Sequence, residues 1–210
     1  MKQLQTELSY LYSGDLNGDA QTSNDLLYIP TNADLDRYVA NGQLEASAPT
    51  TVVTYENGTA VKTSVPDTRT PQQIADQINN FIGQDKYLSE HRGEFAERNA
   101  LVYPWFKRLD LNVTQDFYIT TKDKNKHTLR LTIDIINAGN LLNKDWGTYQ
   151  LPNVTSLIKF DKFAADGKTP IFSFPYLNGG TQTPYTTTWK DDVSIFSRWQ
   201  MQIGFRYLFN

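Results

Sequence analysis

Asp15, Asn17 and Asp19 stand at alternate positions in the run Asp15-Leu16-Asn17-Gly18-Asp19-Ala20-Gln21. Hard oxygen ligands at that spacing converge on one calcium ion when the chain turns tightly between them. Gln21 and Asp25 complete the candidate ligand set. The run departs from a calcium loop at two places. Ala20 stands where the sharp turn calls for glycine, and Asp25 falls at the eleventh position where a glutamate is expected at the twelfth. The same residues also spell an Asx-rich turn, in which side chains bond to nearby backbone and order the loop without a metal. On sequence alone both readings stand.

A second group, His91-Arg92-Gly93-Glu94 with Arg98, has the residue types of an acid/base cluster. Charged residues in a polar loop are more simply read as solvated or ion-paired. The chain has two histidines, His91 and His127, and no cysteine, which excludes thiolate metal sites, cysteine nucleophiles and disulfides. No catalytic constellation emerges, so the chain reads as a non-enzyme with no cofactor beyond the candidate calcium. Twenty basic against 23 acidic residues give a net charge of −3, which offers no electrostatic case for nucleic acid.

The elements that would position these residues show in the hydropathy pattern. Trp199, Met201, Ile203, Phe205, Tyr207 and Phe209 alternate with Gln200, Gln202, Gly204 and Arg206, the mark of a strand with two unlike faces. Leu109, Leu111, Val113 and Phe117 alternate in the same way, as do Leu129, Leu131, Ile133 and Ile135; the charged stretch 121–126 joins these two into a hairpin. On the polar side, Asp110, Asp116, Arg130 and Asp134 are placed to pair across strands. Weaker strands are expected over 3–12, 154–162 and 169–175, which makes six in all. Short connections at 120–127 and 163–168 alternate with long ones at 13–104, 139–153 and 176–197. Up-and-down membrane barrels have this rhythm of short turns and long loops.

The long loop 13–104 must carry structure of its own. Thr70, Pro71 and Gln73 form a capping-box start, Ile74, Ile78, Phe81 and Ile82 recur at helical spacing, and Gly83 closes the helix. Asn57-Gly58 between β-rich flanks predicts a small hairpin over 50–66. Aromatic residues make up 13% of the chain. Those in the loops, including Tyr55, Tyr87, Trp105, Trp146 and Tyr176, are candidates to stack on sugars or peptides. No apolar run approaches the ~18 residues of a membrane helix, a limit that does not touch membrane strands. Met1-Lys2-Gln3-Leu4 has no apolar leader, which fits either a cytosolic protein or a chain whose natural start lies upstream.

Four stretches together resemble the C-terminal end of TonB-dependent outer-membrane receptors of the Bacteroidetes type, close to Oar and more distantly to SusC and RagA. They are YSGDLNGDAQTSNDLLYIP (12–30), YLSEHRGEFAERNALVYPWFKRLDLNVTQDF (87–117), TLRLTIDIINAGNLLNKDWGTY (128–149) and WQMQIGFRYLFN (199–210). The resemblance implies an all-β fold, with residues 1–210 supplying the last six antiparallel strands of a transmembrane β-barrel of about 22 strands. Loop 13–104 would be extracellular and contain a short helix, and the plug domain would be absent from this chain. It implies location in the outer membrane, contact with its lipid, and energy-coupled uptake of a glycan, peptide or chelate. The implied partners are TonB through the missing N-terminal part, the barrel-assembly machinery and a surface lipoprotein. Ile203, Phe205, Tyr207 and Phe209 match the aromatic last strand that the assembly machinery recognises, although Asn210 follows where an aromatic usually ends the chain. The alternative from another class is a soluble, calcium-dependent β-rich adhesion or binding module.

Overall fold

The computed structural model describes residues 7–122 and 125–209. The start of the strand expected over 3–12, turn residues Asp123 and Lys124, and Asn210 lie outside the described residues. In chain order the first elements are β1 (Glu7–Leu8), β2 (Leu11–Ser13), α1 (Asn32–Ala40), β3 (Thr50–Glu56) and β4 (Thr59–Val65). Next come α2 (Pro71–Gln84), α3 (Lys86–Glu90), β5 (Leu101–Val102), β6 (Leu111–Thr120), β7 (Lys126–Ile136) and α4 (Ala138–Leu142). The chain ends with β8 (Gln150–Pro152), β9 (Ser156–Phe163), β10 (Pro170–Ser173), β11 (Trp189–Asp191) and β12 (Gln200–Phe209). Strands make up 38% of the structure and helices are few, consistent with an all-β class. Among the described residues no helix is long and apolar enough to cross a membrane.

The chain divides into two compact units. The first takes residues 1–103 and 152–189, the second 104–151 and 190–210. The first unit has a packed core. Helix α2 starts where Thr70 accepts from the Gln73 N–H and Gln73 accepts from the Thr70 N–H, with Pro71 preset for the first turn. It then buries Ile74, Ile78, Phe81 and Ile82 on one face. Helix α1 uses the same device, with Thr31 and Asp34. Leu27, Ile29, Leu35, Leu88, Leu157, Phe172 and Phe174 close the core around these helices. Asn57 and Gly58, both at positive φ, turn β3 into β4 as expected for a tight hairpin.

This unit corrects part of the six-strand expectation. The described part of the segment 3–12, residues 7–12, is not one barrel strand. It breaks into β1 and β2, and Tyr10 and Tyr12 are buried at 1% and 4% exposure. Strand β2 pairs in parallel with β9, which is also paired with β10. An up-and-down barrel wall has only antiparallel neighbours, so the strands near 154–162 and 169–175 belong to a core sheet and not to a wall. The stretch 13–104 is likewise more than a loop with one helix, since it carries three helices and a hairpin and supplies most of a core.

In the second unit, β12, β7 and β6 form one antiparallel sheet in that order. These are the three strongest period-two segments of the sequence. At 10, 11 and 10 residues they have the ~9–11 residues a tilted membrane strand needs.

Candidate functional site

The register of the three-stranded sheet sorts its side chains into two faces. One face carries the rows Leu111–Ile135–Met201, Val113–Ile133–Ile203, Gln115–Leu131–Phe205, Phe117–Leu129–Tyr207 and Ile119–His127–Phe209. Only Gln115 and His127 interrupt its apolar character. Nothing described covers it, and Phe205 and Phe209 remain 72% and 77% exposed. His127 Nδ1 and the Tyr207 hydroxyl are hydrogen-bonded, so one ring nitrogen of the histidine on this face is engaged. Monomeric soluble proteins seldom leave an apolar patch of more than a few hundred Å² in water.

The opposite face is polar. Arg130 donates from Nε and Nη2 to the two carboxylate oxygens of Asp116, both at 2.7 Å, in a paired fork that fixes both side chains. Arg206 stands beside Arg130 in the register. Asn112 donates to Asp134 on the same face. Of the four charges expected to pair across strands, Asp116 and Arg130 do so directly. Asp110 instead accepts from Arg108 at 2.8 Å and from the Asn137 N–H at 2.9 Å. Ile203, Phe205, Tyr207 and Phe209 all project from the apolar face, as the alternation required.

The loop after β2 brings most of the candidate calcium residues together. Asp15 Oδ1 accepts from the N–H groups of Gly18 (2.7 Å) and Asp19 (3.1 Å), and its Oδ2 accepts from Ala20 (2.9 Å). Asn17 Oδ1 accepts from the Asp19 N–H at 2.9 Å. Asp19 accepts from the Gln21 N–H at 2.8 Å and from the Asn24 amide at 2.8 Å. The first of these bonds, then the second, holds the Asp19 carboxyl below the usual carboxylate range. Asp25 lies across the loop and accepts from the Leu16 N–H at 2.9 Å. Ala20 takes the left-handed conformation, φ 66°, that the missing glycine would have adopted freely. The carboxylates thus close the turn through backbone N–H groups, and among the described residues no three Asp, Glu or His side chains gather as a metal cluster. Gln21 contributes its backbone N–H to this turn.

The residues around His91 do not converge on one point. The His91 N–H bonds back to the Tyr87 carbonyl at the end of α3, and its ring stacks on Tyr87 at 4.2 Å. Arg92 donates to Asn79 Oδ1 at 2.7 Å and to the Pro30 carbonyl at 3.3 Å. Glu94 lends its backbone carbonyl to Ile29. Together these contacts tie segment 91–96 to α2 and to the strand-like stretch at 27–29.

Two residues that carried no signal in the sequence form a largely enclosed ion pair in the first unit, with side chains 6% and 4% exposed. Arg69 donates to Asp67 from Nε and Nη2, to the Phe174 carbonyl at 2.7 Å, and to Gln77. A local Asp-x-Arg is too common to single out, and its partners lie far along the chain. No family model matches the chain, and no curated protein or solved structure matches it either.

Proposed function

We propose that the chain is the C-terminal part of a TonB-dependent outer-membrane receptor, with β6, β7 and β12 set in the barrel wall. The observation that carries this reading is the uncovered apolar face of the sheet, five rows deep and in register, opposite a charged face. Lipid on one side and a wet lumen on the other would suit both faces at once. Burying apolar surface is worth about 25 cal/mol per Å², and this face has no other described means of gaining it. On this reading the receptor binds a solute at its extracellular face and releases it inward through TonB-driven conformational change, without covalent chemistry. The wall contribution of this chain is three strands, and the remainder of the ~22 would come from sequence upstream.

These 210 residues contain no cysteine, so labels can be placed in them once any cysteine elsewhere in the full-length receptor has been replaced. Single cysteines placed from 201 to 208 in the full-length receptor, spin-labelled in its membrane, should show oxygen accessibility rising and falling with period two. Labels at 203, 205 and 207 should be lipid-exposed and those at 202, 204 and 206 water-exposed. Equal access of a water-soluble relaxation agent to all positions would overturn the proposal.

The soluble calcium-dependent module keeps one supporting observation, the tight oxygen-rich turn at Asp15–Ala20. Fractionation separates the two readings. A full-length protein recovered in the soluble fraction, monomeric without detergent, would favour the module.

A further inference from the structure

Four Asn-Gly pairs occur in the chain, at 17–18, 41–42, 57–58 and 178–179, and all four lie in the first unit. An asparagine before glycine can react with its own main chain, because glycine has no side chain to shield the next amide nitrogen. The attack needs the side-chain amide and that nitrogen free to approach each other. The fold treats the four pairs differently.

Three of them are held. The Gly18 N–H donates to Asp15 Oδ1 at 2.7 Å, while Asn17 Oδ1 accepts from the Asp19 N–H at 2.9 Å. The Gly42 N–H donates to the Val39 carbonyl at 3.2 Å, in the turn that ends α1. Asn178 Oδ1 accepts from the N–H groups of Gly180 and Thr181, at 3.0 and 3.2 Å, and the Asn178 main chain is bonded to Thr183 in both directions.

The fourth is open. Asn57 and Gly58 form the exposed tip of the β3–β4 hairpin, at φ 48° and 80°. Among the described residues nothing bonds the Asn57 side chain or the Gly58 N–H, and the space where a Gly58 Cβ would stand is empty. Strands β3 and β4 pair only with each other. A two-stranded ribbon alone is marginally stable in water, so its tip frays and lets Asn57 rotate toward the Gly58 nitrogen.

We propose that Asn57 is a site of spontaneous deamidation, which the fold selects from the four pairs by leaving it free of hydrogen bonds. The Gly58 nitrogen loses its proton and attacks Asn57 Cγ. The N–Cγ bond forms, the Cγ–Nδ2 bond breaks, and the side-chain nitrogen leaves with a proton as ammonia. Water then opens the cyclic imide at one carbonyl to give aspartate, or at the other to give isoaspartate. The sum is one water in and one ammonia out, with no oxidation. Aspartate adds a negative charge beside Glu56. Isoaspartate lengthens the main chain inside a two-residue turn, so it should unpair Glu56 from Thr59 and loosen the hairpin. The inference rests on the first unit alone and does not require the membrane reading.

The test is to age the full chain, folded in detergent micelles, in mildly alkaline buffer made with heavy-oxygen water. Peptide mapping by mass spectrometry then reads the conversion of each asparagine, and the label marks conversion that preceded digestion. Each rate is divided by that of the same peptide in urea. Asn57 should convert nearly as fast folded as unfolded. Asn17, Asn41 and Asn178 should each be slowed about tenfold or more, the worth of at least one hydrogen bond. Asp15→Ala removes the acceptor of the Gly18 N–H and should bring Asn17 toward the Asn57 ratio. Asn57 slowed as much as the other three, or Asn17 still protected in Asp15→Ala, would overturn the proposal. Failure of the membrane reading would appear in the spin-label profile of the sheet, which this experiment does not touch.

Discussion

Tyr10 and Asp85, 75 positions apart, meet in a buried hydrogen bond in which the Tyr10 hydroxyl donates to Asp85 Oδ2 at 2.7 Å. The same carboxylate accepts from the Thr188 hydroxyl, and its Oδ1 caps α3 by accepting from the Leu88 N–H at 3.0 Å. Asp85 therefore joins the start of the chain, the end of α2 and the segment that returns after β10. Burial, and then this bond, pushes the Tyr10 hydroxyl pKa far up, so the phenol stays a donor. Asp85→Ala would strand two hydroxyls and a helix N-terminus together. The expected loss is about 3–5 kcal/mol, from unpaired buried groups and a lost cap. Tyr10→Phe should cost only about 1 kcal/mol, since it removes one donor from an acceptor with other partners. Urea unfolding followed by near-UV dichroism measures both. Equal losses in the two variants would contradict the assigned hub.

The hydrogen bonds of Asp166 should make the turn between β9 and β10 sensitive to acid. Asp166 accepts from the Thr169 hydroxyl and from the N–H groups of Thr169 and Lys168, and these bonds lower its pKa to about 2. A carboxyl depressed on folding adds stability that is present above its unfolded pKa of about 3.9 and is lost as pH falls through the folded value. The turn should hold above pH ~4 and loosen progressively toward pH ~2. The protection of the Lys168 and Thr169 amides, measured against the intrinsic exchange rate at each pH, should fall across that window. Asp166→Asn should flatten the pH dependence, and a wild-type profile indifferent to pH there would count against these bonds.

Asp15 makes three bonds to backbone N–H groups of its own turn. Asp15→Ala should therefore open the loop 15–25 to protease whether calcium is present or chelated, because the turn loses its internal acceptors. Asp25→Ala removes a single bond, to the Leu16 N–H, and should have a smaller effect. Limited proteolysis of the wild-type chain in millimolar calcium and in chelator decides between the two readings of the motif. Protection that rises with calcium assigns a metal, and equal protection assigns the Asx turn.

The sequence was legible where a local pattern decides the structure. Strand β12 and the β6–β7 hairpin follow from strict alternation, and α2 follows from Thr70, Pro71 and the spacing of Ile74, Ile78 and Phe81. The same pattern misled at Leu8, Tyr10 and Tyr12. Their period-two spacing is real, but it serves a core in which Tyr12 stacks on Phe172 at 5.4 Å. Alternation reports two unlike faces and not what covers them. The parallel pairing of β2 with β9 joins residues about 145 apart, a long-range choice that no short window encodes. Helix α1 was readable in principle, since Thr31 and Asp34 form the same box as Thr70 and Gln73. The contact of Arg69 with Asp67 and the Phe174 carbonyl was not, because a local Asp-x-Arg is ordinary until the folded chain brings residue 174 beside it.

Phe205 and Arg206 are adjacent in β12 and face opposite ways, so they test the sheet's two faces at one depth. Phe205 shares the middle row of the apolar face with Gln115 and Leu131, and Arg206 shares its row with Asp116 and Arg130. On the membrane reading, Phe205→Arg places a cation in lipid near the sheet's centre, at a cost of about 2–4 kcal/mol. The full-length receptor carrying it should assemble poorly and lose most of its heat-modifiable form on a cold detergent gel. Arg206→Gln removes a charge from the polar face. It also relieves the repulsion between Arg206 and Arg130, so it should assemble as well as the parent. Were the sheet instead covered by a soluble protein partner, Phe205→Arg would leave membrane assembly untouched and reduce only that association. Equal assembly of the two variants would place lipid on neither face.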